Sequence, residues 1–346
     1  MSFSPGGRRS RQMGQARGQS EPAAVAAARA GDEAAFSALV EPYRRELQVH
    51  CYRMLGSFED SEDLVQETFL RAWRNRTSFQ GRSTFKAWLY RIATNACLDA
   101  LARRPHTIPA SGNAADAAWL QPFPDRLLDE AAASEDEPES AVVSRETIEL
   151  AFLVAIQHLP PRQRAVLIAR DVLDWSAKET AALLETSVAS VNSALQRARA
   201  TLKEQLPEGR LEWTPGSDPS EEERELLERY MDATDRGDPD AIVQLLREDA
   251  FCAMPPQPES WVGREKIVAA WVKGGFGASW FGDLRSLLTR VNRQPAVAVY
   301  HRKPGETTFH PLALDVLRLE EGRVADIIVF SLEPPLLEAL GLPATL

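Results

Sequence analysis

The sequence predicts a multidomain chain, two all-α modules followed by a C-terminal α+β cone, on three observations. Its 346 residues exceed one typical domain. Two blocks, near 23–104 and 141–206, carry apolar residues at helical spacing. Beyond residue 220, helical stretches give way to short strand-like runs ending in turn residues.

In the first block, Gly31 breaks an Ala-rich helix and Asp32 caps the next, which carries Phe36, Leu39, Val40 and Tyr43 on one side. Gly56 ends a helix containing Leu47, Tyr52 and Leu55. A turn is expected over Ser57–Asp60 and a new helix from near Ser61, with Leu64, Val65, Phe69, Ala72 and Trp73 on its apolar face. Asn75 to Ser83 is a polar loop, and Thr84 opens a helix with Phe85, Trp88, Leu89, Ile92 and Ala96 inward.

Residues 105–140 are rich in Pro, Ala, Ser and acid, the composition of a flexible linker. In the second block, Leu159-Pro160-Pro161 marks a helix boundary, followed by expected helices over Arg162–Val172 and Ala177–Leu184. A turn at Glu185-Thr186 and a helix capped by Ser187 complete a helix-turn-helix pattern. Residues 207–220 read as a second linker. In 221–346, helices are expected at Glu221–Arg236, Asp238–Leu246 and Arg264–Val272. Strands are expected at Leu284–Val291, Ala296–His301, Leu312–Leu319 and Arg323–Phe330, with Glu320-Glu321-Gly322 as a hairpin turn.

Charge is distributed unevenly. From Glu21 to Thr68 acids outnumber bases; from Phe69 to Arg104 Asp99 is the lone acid among Arg71, Arg74, Arg76, Arg82, Lys86, Arg91, Arg103 and Arg104. Such a module suits one basic and one polyanionic partner. The net charge of −10 excludes a non-specific DNA coat, so any nucleic-acid contact is local. Cys51, Cys97 and Cys252 lie far apart, with no zinc spacing, so neither metal nor cofactor is expected. No apolar run reaches membrane-spanning length, so no membrane partner is expected. Residues 1–22 read as a disordered basic tail rather than a secretion signal, with Met13 an alternative start, and a cytoplasmic location is expected.

The blocks SEDLVQETFLRAW, STFKAWLYRIATNACLDALARR and LPPRQRAVLIARDVLDWSAKETAALL, then SVASVNSALQRARATL, resemble the extracytoplasmic-function (group IV) sigma-70 family over roughly 23–206. The resemblance implies a sigma region 2 at 23–104 and a region 4 at 141–206. It implies binding to core RNA polymerase, clamp coiled coil and flap, and to promoter DNA; an anti-sigma factor is a further partner class. Asp63, Leu64, Gln66 and Glu67 are then the polymerase-binding residues, since carboxylates and an amide suit exposed arginines. Arg74, Asn75, Arg76, Phe79, Arg82, Lys86, Arg91 and Asn95 are the candidates for the −10 element, where a single strand with extruded bases must be held. Phe79 either stacks a base or anchors its loop to the core. Ser187, Ala189, Ser190, Asn192, Ser193, Gln196, Arg197 and Arg199 are the candidates for the −35 duplex. Asn192 and Ala194 stand where the family commonly has basic residues.

The segment LLREDAFCAMPPQPESWVGREKIVAAW resembles the SnoaL-like branch of NTF2-like cones, placing such a domain at 221–346. Trp261, Trp271, Phe276, Trp280 and His301 are candidates to line a pocket for a small ligand, or are simply core. Asp249, Asp283, His301, His310 and Asp315 are available bases, but no spacing demands acid–base work, and no catalytic residue is assigned. The leading reading is a promoter-specificity subunit regulated in cis by its cone, not an enzyme. The alternatives are a ligand-sensing DNA-binding regulator and an enzyme whose activity resides in the cone.

Overall fold

The computed structural model describes residues 22–81, 83–103, 120–133, 149–205, 220–255, 257 and 259–346. The first helix, α1, covers 22–30. It is followed by α2 (Glu33–Val40), α3 (Arg44–Leu55), α4 (Phe58–Arg74) and α5 (Phe85–Arg103). Asp32 caps α2 by accepting from the Ala35 amide at 2.9 Å, and Gly56 ends α3 in the left-handed conformation at φ 73°. The helix expected from Ser61 begins three residues earlier. Ser57 is its cap, and residues expected as a turn form its first turn.

The expected flexible linker contains an ordered middle: residues 120–124, with an isolated β-bridge from Pro124 to Val291, lead into α6 (Asp125–Ala133). The rest of that linker, like residues 206–219, lies outside the described residues. α7 (Leu150–Gln157), α8 (Pro161–Leu167), α9 (Ala177–Leu183) and α10 (Val188–Gln205) form the second helical unit. A π-helical turn over Ile168–Val172 replaces the expected continuation of α8. At the α9–α10 turn, Glu185 takes φ 50°, the left-handed position that glycine usually fills.

The C-terminal unit comprises α11 (Glu221–Asp235), α12 (Pro239–Leu245), β1 (Leu246–Ala253), β2 (Ser260–Val262) and α13 (Arg264–Lys273). Strands β3 (Asp283–Val291), β4 (Gln294–Arg302), β5 (His310–Glu320) and β6 (Arg323–Ser331) follow, then α14 (Pro334–Leu340). The sheet order is β2-β1-β6-β5-β4-β3, antiparallel except where β1 runs parallel to β6. The four expected strands are present, and Glu321 and Gly322 both have positive φ in the β5–β6 turn. β1, β2 and α14 were not anticipated.

Alternate residues of this sheet enter two different cores. Val297 and Val299 of β4, with Ile327 and Val329 of β6, pack with Leu227, Tyr230 and Ile267 beneath the helices of the cone. Ala296, Ala298 and Tyr300, with Ile328 and Phe330, join the same core as the helical units. A sheet buried on both faces reads as a near-continuous apolar run. On that second face the shared core includes Leu336 and Leu337 of α14 as well as residues of the helical units.

Candidate functional site

Helix α4 owes its position to a residue outside the first helical unit. Ser57 Oγ accepts from the Asp60 amide at 3.2 Å and donates to Gln121 Oε1 at 2.9 Å; that same oxygen accepts from the Glu59 amide at 3.0 Å. Two orphan donors of the helix start are thereby satisfied, one by each side chain. Asp63 and Gln66 are exposed on α4, whereas Leu64 packs against the core as a half-buried residue. Glu67 is engaged: Arg71 donates to it at 2.8 Å and to Asp99 at 2.7 Å, tying α4 to α5. Both acceptors hold the Arg71 guanidinium above its ordinary pKa.

The basic half is less free than its residue count implies. Lys86 pairs with Glu46 at 2.6 Å, and Arg76 lies over the Trp73 ring at 4.1 Å. Asn75 spends its amide on the Arg71 carbonyl as the C-cap of α4. Arg74 and Asn95 are exposed and Arg91 half-exposed; neither arginine pairs with a carboxylate among the described residues. Phe79 takes the second of its two readings. It is 9% exposed, its ring set against Phe85 at 5.5 Å and Trp88 at 5.4 Å, so it anchors its loop and offers no stacking face. Arg82 lies outside the described residues.

On α10, Ser187 Oγ accepts from the Ser190 amide at 3.1 Å. Val191, Leu195 and Ala198 face inward, which leaves Ser187, Ala189, Ser190, Asn192, Ser193, Gln196, Arg197 and Arg199 all exposed. All eight candidates are therefore exposed on α10 and its cap. Arg199 is held by both Asp171 oxygens, at 2.8 and 2.7 Å, which fixes its guanidinium.

The two helical units pack on each other. Tyr90 of α5 meets Trp175 across 5.4 Å. Arg164, buried, donates to the Ile156, Gln157 and Leu159 carbonyls and reaches the Met54 carbonyl of α3. Burial, with no carboxylate partner among the described residues, lowers its pKa to about 9.

One turn of the cone contacts three other parts of the chain. Between β3 and β4, Asn292 (φ 53°) and Arg293 (φ 59°) form a left-handed pair, the geometry of a two-residue hairpin turn. The fully buried Asn292 donates through Nδ2 to Tyr52 Oη at 2.9 Å; its Oδ1 accepts from the Phe123 amide at 2.8 Å. Its own amide donates to the Phe123 carbonyl at 2.9 Å, while Tyr52 Oη donates to the Gln121 carbonyl at 2.7 Å. The Arg293 amide donates to Asp125 at 2.7 Å, and Gln294 Oε1 accepts from the Leu150 amide at 3.1 Å. The first helical unit, the ordered linker and the first helix of the second unit are thus gripped by adjacent residues. Segment 120–133 is the clasp: Arg45 of α3 binds Glu130 at 2.8 Å, and Arg126 donates to the Glu338 carbonyl at 3.4 Å.

Inside the cone, the expected pocket residues divide. Trp271 and Phe276 stack edge to face at 6.0 Å, and Trp261 packs on the same core. His301 lies against the Phe281 ring at 4.4 Å with Nε2 2.6 Å from the Phe281 carbonyl. Trp280 is corrected: at 66% exposure it faces solvent and lines no interior. Sequence reading passed over Tyr230, whose hydroxyl donates to Asp315 at 2.9 Å deep in the cone. An acid on β5 and a tyrosine on α11 carry no local signal of their pairing. Burial raises the Asp315 pKa to about 6, against a smaller opposing effect of the Tyr230 bond.

That shift sets a pH dependence. Unfolded, Asp315 ionises near pH 4; folded, it holds its proton up to about pH 6. Its contribution is full below pH 4 and is lost as pH rises through 6, a loss of up to ~3 kcal/mol. Asp315→Asn keeps the acceptor for Tyr230. It is expected to raise stability in urea at pH 7.5 by about 1–3 kcal/mol, a gap closing towards pH 4. A gap independent of pH disproves the assignment.

Comparison with known proteins matches this layout. Residues 39–106 fit the family model of Sigma-70 region 2, 149–202 that of Sigma-70, region 4, and 227–327 that of a SnoaL-like domain. The ECF RNA polymerase sigma factor SigG of Mycobacterium tuberculosis is 42% identical over 324 residues, 90% of this chain and 85% of the relative. The ECF sigma factor SigW of Bacillus subtilis is 32% identical over 176 residues, 51% of this chain and 91% of that protein. In fold, the crystal structure of the M. tuberculosis sigma factor SigJ matches with a TM-score of 0.55 at 24% identity, covering 87% of this chain and 97% of that one.

Proposed function

Because this chain belongs to the extracytoplasmic-function sigma factors of the sigma-70 family, we propose that it binds core RNA polymerase through α4 and directs it to promoters. Asp63 and Gln66 supply the exposed contacts to the clamp, with Leu64 and Glu67 holding that face in shape. Region 4 would meet the flap. Arg74, Arg91 and Asn95 neutralise and bind the −10 strand, and the exposed face of α10 reads the −35 duplex. The cone restrains these activities in cis.

The observation behind that restraint is the single turn gripping region 2, the clasp and region 4. The −35 and −10 elements are about 25 base pairs apart, roughly 85 Å along B-form DNA. A compact body of about 180 residues is only roughly 40 Å across. With Tyr90 against Trp175 and Arg164 reaching Met54, the two DNA-binding units sit within one core. Their faces are exposed, so the cone does not cover them; it fixes their separation. Opening must come before promoter engagement.

No catalysis is assigned to the cone. A buried acid with a raised pKa is what a catalytic base resembles. Here, however, Asp315 is 6% exposed, its described partner is the fully buried Tyr230, and that geometry supports a core role. Among the described residues no helix is long and apolar enough to cross a membrane, and the proposed site of action is the cytoplasm.

Promoter reading is tested on α10. Arg197→Ala should leave capture of core polymerase unchanged and weaken binding of the holoenzyme to a promoter about tenfold, as loss of one base or phosphate contact requires. Unchanged promoter affinity with impaired capture would reverse the assignment of the two faces.

A further inference from the structure

Where the start of α4, the clasp and the cone meet, the structure leaves a cavity of about 230 Å3. Its walls are apolar, built from Phe58 of region 2, Leu120 and Pro122 of the clasp, and Phe330 and Leu336 of the cone. It lies outside the Asp315–Tyr230 interior, on the opposite side of the sheet: Phe330 belongs to the core shared with the helical units. The volume falls below the roughly 300–1,000 Å3 of drug-sized pockets, which limits an occupant to a small molecule.

The charged residues of the lining have one sign, beside the uncharged Gln121 and Ser331. Glu59 and Glu333 are exposed residues at the cavity, and no lysine, arginine or histidine contributes to it. Neither carboxylate has an ion-pair partner among the described residues. Each follows or forms a helix cap, Glu59 in the first turn of α4 and Glu333 before α14. The helix ends offset about half a charge each, leaving the mouth net negative. Around that mouth the apolar wall accepts a hydrocarbon body and the carboxylates accept a cation.

We propose that this junction is a binding site for a small organic cation with an apolar body, such as an arylalkylammonium, and that its occupant holds the chain closed. The site rests on the closed arrangement proposed above, since its walls come from three parts of the chain that separate on opening. A ligand that binds the closed form alone multiplies the closed-to-open ratio by 1 + [L]/Kd, about 100-fold at 100 times Kd. Transcription would fall accordingly.

The test uses the full chain, with 2-phenylethylammonium as the cation, 2-phenylethanol as its neutral counterpart and 3-phenylpropanoate as the anion. Calorimetric titration is expected to give saturable 1:1 binding of the ammonium and weaker or no binding of the others. Glu59→Gln and Glu333→Gln should each weaken the ammonium about threefold to fivefold, as an exposed charge pair does. Small-angle X-ray scattering of the same samples reads the closed state independently. A compact protein that binds no ammonium, or binds the alcohol equally well, overturns the ligand site alone. An extended protein overturns the closed reading and the site with it. Binding undiminished in both glutamine variants also overturns the site, because the cation would then sit elsewhere.

Discussion

Asp63→Lys is expected to abolish capture of core RNA polymerase while leaving the fold intact. Asp63 is exposed, and no side-chain bond in α4 depends on it. Its replacement therefore removes nothing from the core, where Val65, Thr68 and Ala72 hold the helix down. The reversal puts a cation opposite the basic surface that the docking model requires. Like-charge juxtaposition costs several kcal/mol, and ~3 kcal/mol is about a 100-fold loss of affinity. Glu67→Lys is a less clean change, because it also displaces Arg71 towards Asp99 and loosens the α4–α5 contact. The measurement is comigration with purified core enzyme at low salt, with circular dichroism to check the fold. If Asp63→Lys binds core as tightly as the parent chain, α4 is not the docking helix.

The second large effect is expected at the turn. Asn292→Gly preserves the left-handed backbone that β3 and β4 need to join, because glycine takes φ > 0 without cost. It removes the bonds to Tyr52 Oη and to the Phe123 amide, both buried. Each such bond contributes about 1 kcal/mol, and the orphaned Phe123 donor costs more. A shift of ~3 kcal/mol raises the open population about 100-fold. In vitro transcription with core polymerase should rise, together with the radius of gyration. Asn292→Ala makes a useful contrast, since it adds turn strain to the same loss. Transcription unchanged in the glycine variant, with the chain still compact, would show that the turn is not what restrains it.

Much of the layout was legible in the sequence because the signals are local. Asp32 and Ser187 as caps, Gly56 as a C-cap and a hairpin turn at Glu320-Glu321-Gly322 each depend on residues within a few positions; the structure has all four, with Glu320 ending the strand before the turn. The exposed face of α10 follows from helical periodicity alone. The start of α4 was misplaced because part of its N-terminal satisfaction comes from Gln121, far along the chain. Composition made residues 105–140 a flexible linker, yet 120–133 is ordered by partners in α3 and the cone. Counting cations overstated the free basic surface, since Glu67, Asp99 and Glu46 neutralise Arg71 and Lys86. Phe79 was ambiguous for the same reason: one ring suits a stacking site or a core, and only its neighbours Phe85 and Trp88 decide between them.

By itself the sequence determined the modules and their order, because caps, turns and periodicity are encoded over a few residues. The tertiary structure alone decided that those modules share one core, with Asn292 at the junction and a cavity beside it. That decision rests on hydrogen bonds such as Asn292 to Tyr52 and on the burial of a second sheet face. Contacts between residues hundreds of positions apart leave no periodic trace, so they emerge only when the chain has folded.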